Sequence, residues 1–231
     1  MKLTLKELVK EQVPPQAIIV AAFVAMCVIG YGIWSSETSG SFTVTAPLYS
    51  TEVFVDTTHA GTLKNPGDTM TFTYASGRHT VIVSRAGYVP WQKNLDIVPK
   101  QTVALSPFLV REEIAPEQIT PMSFSNGTIS INADYAEAAA LFSKLSIAND
   151  IVPLVASTSI KDVRSADYYP GRKDVLLIAA RDGIFAVDAI QNDPRNFQPV
   201  YKGTSPIFVK TANGVIFIKD GDDIFRIAGI N

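Results

Sequence analysis

The feature that most constrains this chain is an uncharged apolar stretch near its N-terminus, Ala17–Trp34. As a helix of about 18 residues it would be roughly 27 Å long, close to the hydrocarbon thickness of a bilayer. Pro14 and Pro15 precede it, and proline suits the first turn of a helix. Tyr31 and Trp34 stand at its far end, where aromatic rings favour the membrane interface. We therefore predict a single transmembrane helix over residues 17–34.

Charge on the two sides of this stretch predicts its orientation. Lys2, Lys6 and Lys10 precede it, whereas the first charge beyond it is Glu37. Positively charged flanks stay in the cytoplasm. We therefore expect a single-pass protein of the cell membrane with a cytoplasmic tail of residues 1–16 and the bulk of the chain outside.

Two other kinds of N-terminal segment fit less well. A cleaved signal peptide would be followed by a small-x-small site, which residues 34–38 do not offer. A lipoprotein would need a small residue before Cys27, where Met26 stands. We therefore expect an uncleaved signal anchor, with Cys27 as a small apolar side chain in lipid.

Three alanines recur at every fourth position of the predicted helix: Ala17, Ala21 and Ala25. Small side chains on one face allow two membrane helices to approach closely. These residues are therefore candidates for a helix–helix contact, although alanine is common in membrane helices in any case.

Composition excludes several function classes for the rest of the chain. The formal net charge of −2 leaves no basic footprint for nucleic acid. A single cysteine excludes a disulfide framework and a cysteine zinc site. The two histidines, His59 and His79, are expected in a loop and a strand, because a metal site needs three or four converging ligands. We predict neither a cofactor nor a bound metal.

After a short polar linker, residues 35–41, the apolar pattern changes to a period of two. Phe42, Val44 and Ala46 alternate with polar residues, as do Met70 and Phe72. Turn residues separate such segments every few positions. This pattern predicts an antiparallel β-sandwich over residues 42–107.

The same region resembles the PEGA domain, a small surface module of bacteria and archaea. The resemblance rests on Phe42–Pro47, Val53–Asp56, Ser76–Val83 and Ala86–Tyr88, closed by a strand through Val103 and Leu105. The chain departs from the family after Pro47, where Leu48-Tyr49-Ser50 replaces Glu-Gly-Ala. The resemblance implies a β-sandwich on the outer side of the membrane and carries no catalytic residues.

Two aromatic residues of this region, Tyr88 and Trp91, are candidate contacts for a glycan or a protein partner. An exposed pair of rings would offer a platform for a sugar. The alternative is that both pack within the domain, because large aromatic side chains usually supply core area in small domains.

Residues 108–121 are predicted as a second linker and residues 122–231 as a β-rich module with one short helix. Met122–Ile131 is typical of a hairpin that turns on Asn126-Gly127. Asp134 and Glu137 have the spacing of a capping box, which predicts a helix from Asp134 to Leu145.

From Ile160 onward, two successive units of three or four strands form an approximate repeat that turns at Asp182-Gly183, Asn213-Gly214 and Asp220-Gly221. The first unit resembles a blade of a WD40-like or TolB-like β-propeller. About 70 residues hold at most two blades, whereas a propeller needs about four to eight. Exposed strand edges would therefore recruit a partner or a second copy. The acidic run Asp220–Asp223 lacks the ligand order of an EF-hand and is expected to be a turn.

The sequence contains no Gly-x-Ser-x-Gly, His-Glu-x-x-His or phosphate-binding glycine loop. We therefore expect a non-enzymatic, membrane-anchored protein of the cell envelope with a structural, scaffolding, or glycan- or protein-binding role. The alternative is a sensory or regulatory ectodomain that binds a small ligand or a secreted protein. Catalysis by paired carboxylates would require two of Asp56, Asp167, Asp174 and Asp188 to face each other.

Overall fold

The computed structural model describes residues 15–125, 128–158, 160–189 and 196–227. In this part of the chain the protein is mainly β, with 17 strands in five sheets and three helices. The mainly-β class predicted from the sequence is confirmed. The predicted turn at Asn126-Gly127 lies outside the described residues.

The longest helix, α1, spans Pro15–Thr38. Residues 19–29 of this helix are all exposed. Among the described residues, no helix combines the length and the hydropathy that identify a membrane span. The membrane crossing at residues 17–34 therefore stays a prediction.

The chain divides into two compact units. The first consists of the described residues up to Thr43 together with Thr71–Arg78 and Asp96–Ala104. The second consists of Val44–Met70, His79–Leu95 and the described residues from Leu105 onward.

The first unit contains α1 and most of a three-stranded sheet. Its strands are β1 (Ser39–Thr45), β4 (Thr69–Ala75) and β7 (Thr102–Leu105), in the order β4-β1-β7. Phe42 is fully buried, and its ring stacks on Phe72 with 5.2 Å between centroids. Thr43 and Thr71 share a hydroxyl hydrogen bond of 2.9 Å. The alternation of apolar and polar residues in β1 therefore separates a packed face from a hydroxyl-lined one.

Gly40 shows why residues predicted as a linker belong to a strand. A Cβ at this position would lie 2.2 Å from the carbonyl oxygen of Val98 and 2.8 Å from the side chain of Ile97. Only glycine allows so close an approach of two backbones. The helix ends at Thr38 and β1 begins at Ser39, so no extended linker separates them.

The second unit contains most of a four-stranded sheet in the order β3-β2-β5-β6. Its strands are β2 (Thr51–Val55), β3 (Thr58–Leu63), β5 (Gly77–Ser84) and β6 (Trp91–Ile97). Asp56 and Thr57 form the two-residue turn between β2 and β3, with φ of 49° and 71°. Both angles are those of the type I′ turn that suits the twist of a hairpin.

Two further four-stranded antiparallel sheets follow in the same unit. The first is a meander of β11 (Ser165–Tyr168), β12 (Val175–Ala180), β13 (Gly183–Asp188) and β14 (Phe197–Lys202). The second contains β15 (Ile207–Lys210), β16 (Ile216–Asp220) and β17 (Asp223–Ile227), with β8 (Glu117–Ile119) as its fourth strand. β8 pairs with β17 from far earlier in the chain, with Ile119 opposite Ile224.

A two-stranded sheet and two short helices complete the described part of the second unit. A hairpin joins β9 (Met122–Ser125) and β10 (Thr128–Ile131). Helix α2 spans Ala133–Phe142 and helix α3 spans Val152–Ser157. Ala138 of helix α2 is buried in a core cluster with Val209, Phe217 and Ile224.

The predicted capping box of α2 is wrong. The cap is Asn132, whose side chain accepts hydrogen bonds from the backbone N–H groups of Asp134 and Tyr135. Asp134 instead lies in the first turn, where its charge favours the helix dipole. Helix α3 was not expected, because six residues with a proline near the start give too short a pattern to detect.

The stretch Pro107–Val110 is buried, although its last three residues were predicted as the start of a linker. Phe108, Leu109 and Val110 are 3%, 5% and 0% exposed. The side chain of Gln198 on β14 accepts from the N–H of Val110 at 2.7 Å and donates to the carbonyl of Phe108 at 3.1 Å. The buried side-chain amide of Gln198 thus satisfies the backbone groups that a neighbouring strand would otherwise bond.

We predict that Gln198→Leu destabilises the protein by about 3 kcal/mol. The leucine would leave a backbone N–H and a carbonyl buried without partners, at about 1–3 kcal/mol each. The measurement is urea unfolding of the full chain in non-ionic detergent, with the exposed Gln101→Leu as the matched control. A loss below about 0.5 kcal/mol, within the range of ordinary surface changes, would contradict this role for Gln198.

Candidate functional site

A cavity of about 480 Å³ lies beside β14. We call it the β14 groove and define it by Lys161, Arg181, Phe185, Phe197, Pro199 and Lys202. All of these residues belong to the second unit.

The floor of the groove is apolar because one face of the meander is only partly covered. Phe185 on β13 lies opposite Pro199 on β14, and Val187 lies opposite Phe197. Leu154 of α3 packs on the cluster that contains Val187. Phe197 nevertheless remains 46% exposed. The face of β14 therefore offers an aromatic ring and a proline to a ligand.

The rim of the groove is positively charged. Arg181 and Asp182 form the two-residue turn between β12 and β13, while Lys202 ends β14 and Lys161 precedes β11. These four side chains are exposed and carry a net charge of +2. None of the three cations forms an ion pair with another residue in the ranges that the structure describes.

Gly183 allows β13 and β14 to lie close together at the end of the groove that contains Lys202. A Cβ there would lie 2.5 Å from the carbonyl oxygen of Tyr201 and 3.3 Å from the ring of Phe185. The glycine lets β13 and β14 approach at the start of the strand, next to Lys202. The sequence placed a turn at Asp182-Gly183, and the structure places the turn residues at Arg181 and Asp182.

Two smaller cavities have less of the character of a binding site. One, of about 250 Å³, is lined by Leu48, Phe108, Tyr169 and Arg172, among others. Burial raises the pKa of Tyr169 to about 12, so its hydroxyl stays protonated. The other, of about 230 Å³, contains Lys210, which already contacts Asp167 at 3.0 Å. Arg172 and Lys210 are thus engaged within the protein, by Asp174 and Asp167.

The four carboxylates considered for catalysis each have an internal partner. Asp174 binds Arg172 through two contacts of 2.6 Å, and this hydrogen bonding lowers its pKa. Asp167 contacts Lys210. Asp188 accepts from the side chain of Asn196 at 3.2 Å, and burial raises its pKa.

Asp56, the fourth of these carboxylates, is bonded through both of its oxygens. It accepts the N–H of Thr80 at 2.9 Å, and its other oxygen lies 2.6 Å from Nδ1 of His79. The hydrogen bond from Thr80, and secondly that from His79, lower the pKa of Asp56. The pair thus fastens the β2–β3 turn to β5.

The residues that the sequence suggested as contacts for a ligand or a second helix differ in their exposure. Trp91 is 1% exposed, so it offers no face to a sugar ring, and its Nε1 has no hydrogen-bond partner in the described chain. Tyr88 is half-buried, with the guanidinium of Arg85 5.1 Å from its ring centroid. Ala21 and Ala25 are exposed on α1, which also contains Ala17.

The described residues do not form a cluster of metal-ligating side chains. No group of three His, Cys, Asp or Glu side chains converges there. Asp220, in the acidic run considered for calcium, accepts from Tyr201, Thr204 and Ser205. Its carboxylate therefore holds the connection between β14 and β15 to the end of β16.

Sequence reasoning did not find the β14 groove. Its cations come from three separate segments, and only the pairing of β13 with β14 brings Phe185 and Pro199 together. The one local signal was the alternation in β14, where Phe197 and Pro199 are exposed and Gln198 and Val200 are buried.

No protein-family model matches this chain, and no curated protein sequence matches it. The resemblances to the PEGA domain and to a propeller blade therefore stay predictions.

We predict that the Asp56–His79 pair makes stability depend on acidic pH. A lowered pKa means that the ionised Asp56 stabilises the folded state above its unfolded pKa of about 3.9. This contribution is lost as the pH falls through the lowered folded value. The urea midpoint of the wild type should therefore approach that of Asp56→Asn between about pH 5 and pH 2.

The matched control for this series is Asp96→Asn, because Asp96 is an exposed carboxylate on β6. The difference between its urea midpoint and that of the wild type should stay constant across the pH series. A constant gap between the wild type and Asp56→Asn across the series would refute the linkage.

Proposed function

We propose that this chain is a membrane-anchored, non-enzymatic binding protein of the cell envelope, and that its ligand occupies the β14 groove. The observation that carries this proposal is the groove's combination of an apolar floor with three cations that form no ion pair with any described residue. Its volume of about 480 Å³ lies in the usual range of ligand sites.

The chemistry of the groove selects an anionic ligand. Lysine and arginine side chains donate to carboxylate or phosphate oxygens, and arginine can do so through two bonds at once. Phe197 and Pro199 would pack against an apolar group or the face of a sugar ring. An acidic glycan of the envelope satisfies both requirements.

The anchor is proposed from the sequence and from exposure along α1. Ile19, Phe23 and Ile29 are 68%, 64% and 61% exposed. Side chains of this kind in water are unfavourable, at about 25 cal/mol per Å² of apolar surface. A lipid environment for residues 17–34 would remove this cost, and the lysines before residue 11 would keep the N-terminus in the cytoplasm.

A sensory or regulatory ectodomain is the second candidate. The feature that favours it is the size of the groove, which suits a small molecule as well as one unit of a polymer. A small anion would then be the signal, and the bilayer helix would pass it on.

We predict that the chain beyond α1 is outside the cell membrane. In a Cys27→Ser background, an Ala212→Cys variant places a thiol in an exposed turn between β15 and β16. A membrane-impermeant maleimide should label this variant on intact cells as fully as after lysis. Labelling that requires lysis would reverse the orientation, and protein in the soluble fraction would refute the anchor.

We predict that neutralising the groove cations weakens binding of an acidic glycan about tenfold or more. Each exposed charge contributes roughly 0.2–1 kcal/mol, so three together approach the 1.4 kcal/mol of a tenfold change. The variant is Lys161→Gln/Arg181→Gln/Lys202→Gln in the full chain in non-ionic detergent. Binding to polygalacturonate is measured against neutral dextran.

The matched control changes three exposed lysines that do not line the groove: Lys64→Gln/Lys173→Gln/Lys219→Gln. It removes the same charge and should bind like the wild type. Equal weakening by both triple variants would reduce the effect to net charge and overturn the site. Binding of phenyl phosphate at the groove without binding of the polymer would favour the sensory candidate.

A further inference from the structure

The outer edge of β14 has no neighbouring strand in the described part of the chain, because β14 stands last in the order β11-β12-β13-β14. Asn196, directly before β14, accepts the N–H of Asp188 at 3.3 Å through its carbonyl, so its backbone faces β13. Backbone groups of successive residues face opposite edges of a strand. The N–H and carbonyl of Phe197 therefore face the outer edge. Pro199 follows the same alternation, since the register shift of the β13–β14 pair comes after it.

This edge accepts more hydrogen bonds than it donates. Phe197 presents an N–H and a carbonyl, whereas Pro199 presents a carbonyl alone because proline has no N–H. Neither carbonyl accepts a hydrogen bond from another residue in the ranges that the structure describes. Both residues are exposed and line the β14 groove. The groove thus combines free backbone acceptors along β14 with cationic donors on its rim, at Lys161, Arg181 and Lys202.

We propose that the ligand of the β14 groove is a uronic-acid glycan, whose hydroxyl groups donate to the outer edge of β14 while its carboxylates accept from the rim cations. This inference rests on the proposed function and names the class of acidic glycan. A hydroxyl is a donor that suits a free carbonyl, and a carboxylate is the acceptor that suits lysine or arginine. A uronic acid carries both groups on one ring.

Ligands that lack hydroxyl groups match the groove less well. A polymer of phosphate or carboxylate groups alone satisfies the cations and covers the carbonyls of Phe197 and Pro199 without giving them donors. A polar group that loses water and gains no partner weakens binding. The pairing of acceptors with cations therefore distinguishes a hydroxylated acid from a simple polyanion.

Pro199 also argues against an acidic peptide as the occupant. A peptide that adds to a sheet edge needs a regular ladder of N–H and carbonyl groups. Pro199 removes one donor from that ladder, and natural edge strands carry proline to prevent strand addition. A sugar needs no ladder, because each of its hydroxyls bonds separately. The edge of β14 therefore favours a glycan over an added strand.

The first test compares two ligands that differ only in their hydroxyl groups. Isothermal titration calorimetry of the full chain in non-ionic detergent measures trigalacturonate against its O-methyl ether, which keeps the three carboxylates. We expect the ether to bind at least about tenfold more weakly, because the acceptors on β14 lose their donors. Lys161→Gln/Arg181→Gln/Lys202→Gln should weaken the binding of both ligands, since both carry the same charge.

The second test changes the edge itself. Pro199→Val adds an N–H to the outer edge and keeps an apolar side chain in the groove. The ratio of the affinity for trigalacturonate to that for triglutamate should fall about fivefold, the size of one hydrogen bond. Pro90→Val, at an exposed proline that does not line the groove, should leave this ratio unchanged. Matching circular dichroism spectra will show that both variants fold like the wild type.

Four results would overturn the inference. Equal binding of trigalacturonate and its ether, both weakened by the triple variant, would leave the proposed function in place and remove the role of the edge. An unchanged affinity ratio in Pro199→Val would have the same meaning. Tighter binding of triglutamate than of trigalacturonate by the wild type would make the edge a site for an acidic strand. Binding of trigalacturonate that is absent, or that the triple variant does not weaken, would overturn the inference and the proposed function together.

Discussion

The second compact unit depends on one extended stretch, Ser106–Val110, of which residues 107–110 are buried. Arg172 donates to the carbonyls of Ser106 and Pro107, at 2.7 and 3.1 Å, while Asp174 holds its guanidinium in place. Gln198 supplies the matching pair of hydrogen bonds at Phe108 and Val110. The stretch that follows β7 is thereby fixed to the connection between β11 and β12 and to strand β14. Backbone groups buried there would otherwise be costly.

The same strand that holds this stretch also forms the groove. Gln198 and Val200 point to the buried side of β14, and Phe197 and Pro199 point to the other. Alternation along one strand thus separates a structural face from a binding face. Proline is tolerated in β14 because the strand ends its sheet, where one edge needs no further ladder bond. The floor of the groove is therefore rigid, because its reverse side is part of the core.

Local patterns predicted the strands well and the long-range partners poorly. The apolar runs and Asp-Gly turns of β12, β13, β16 and β17 were recognised from the sequence, because periodicity and turn chemistry are local properties. The pairing of β8 with β17 joins residues about a hundred positions apart, with no local signal. The buried role of Gln198 was equally invisible, since a polar residue in an alternating strand is expected to face water. To predict the groove, one would have to know both that β13 pairs with β14 and which face of β14 is buried.

The distribution of polar groups explains why binding is a better proposal than catalysis. Asp56, Asp174 and Asp220 are each engaged by hydrogen bonds that shape a turn or fix a neighbouring segment. These carboxylates therefore have structural roles in the described part of the chain. The three cations around β14 are exposed and form no ion pair within the described residues. The proposed binding function therefore rests on the groove, where charged groups remain available to a ligand.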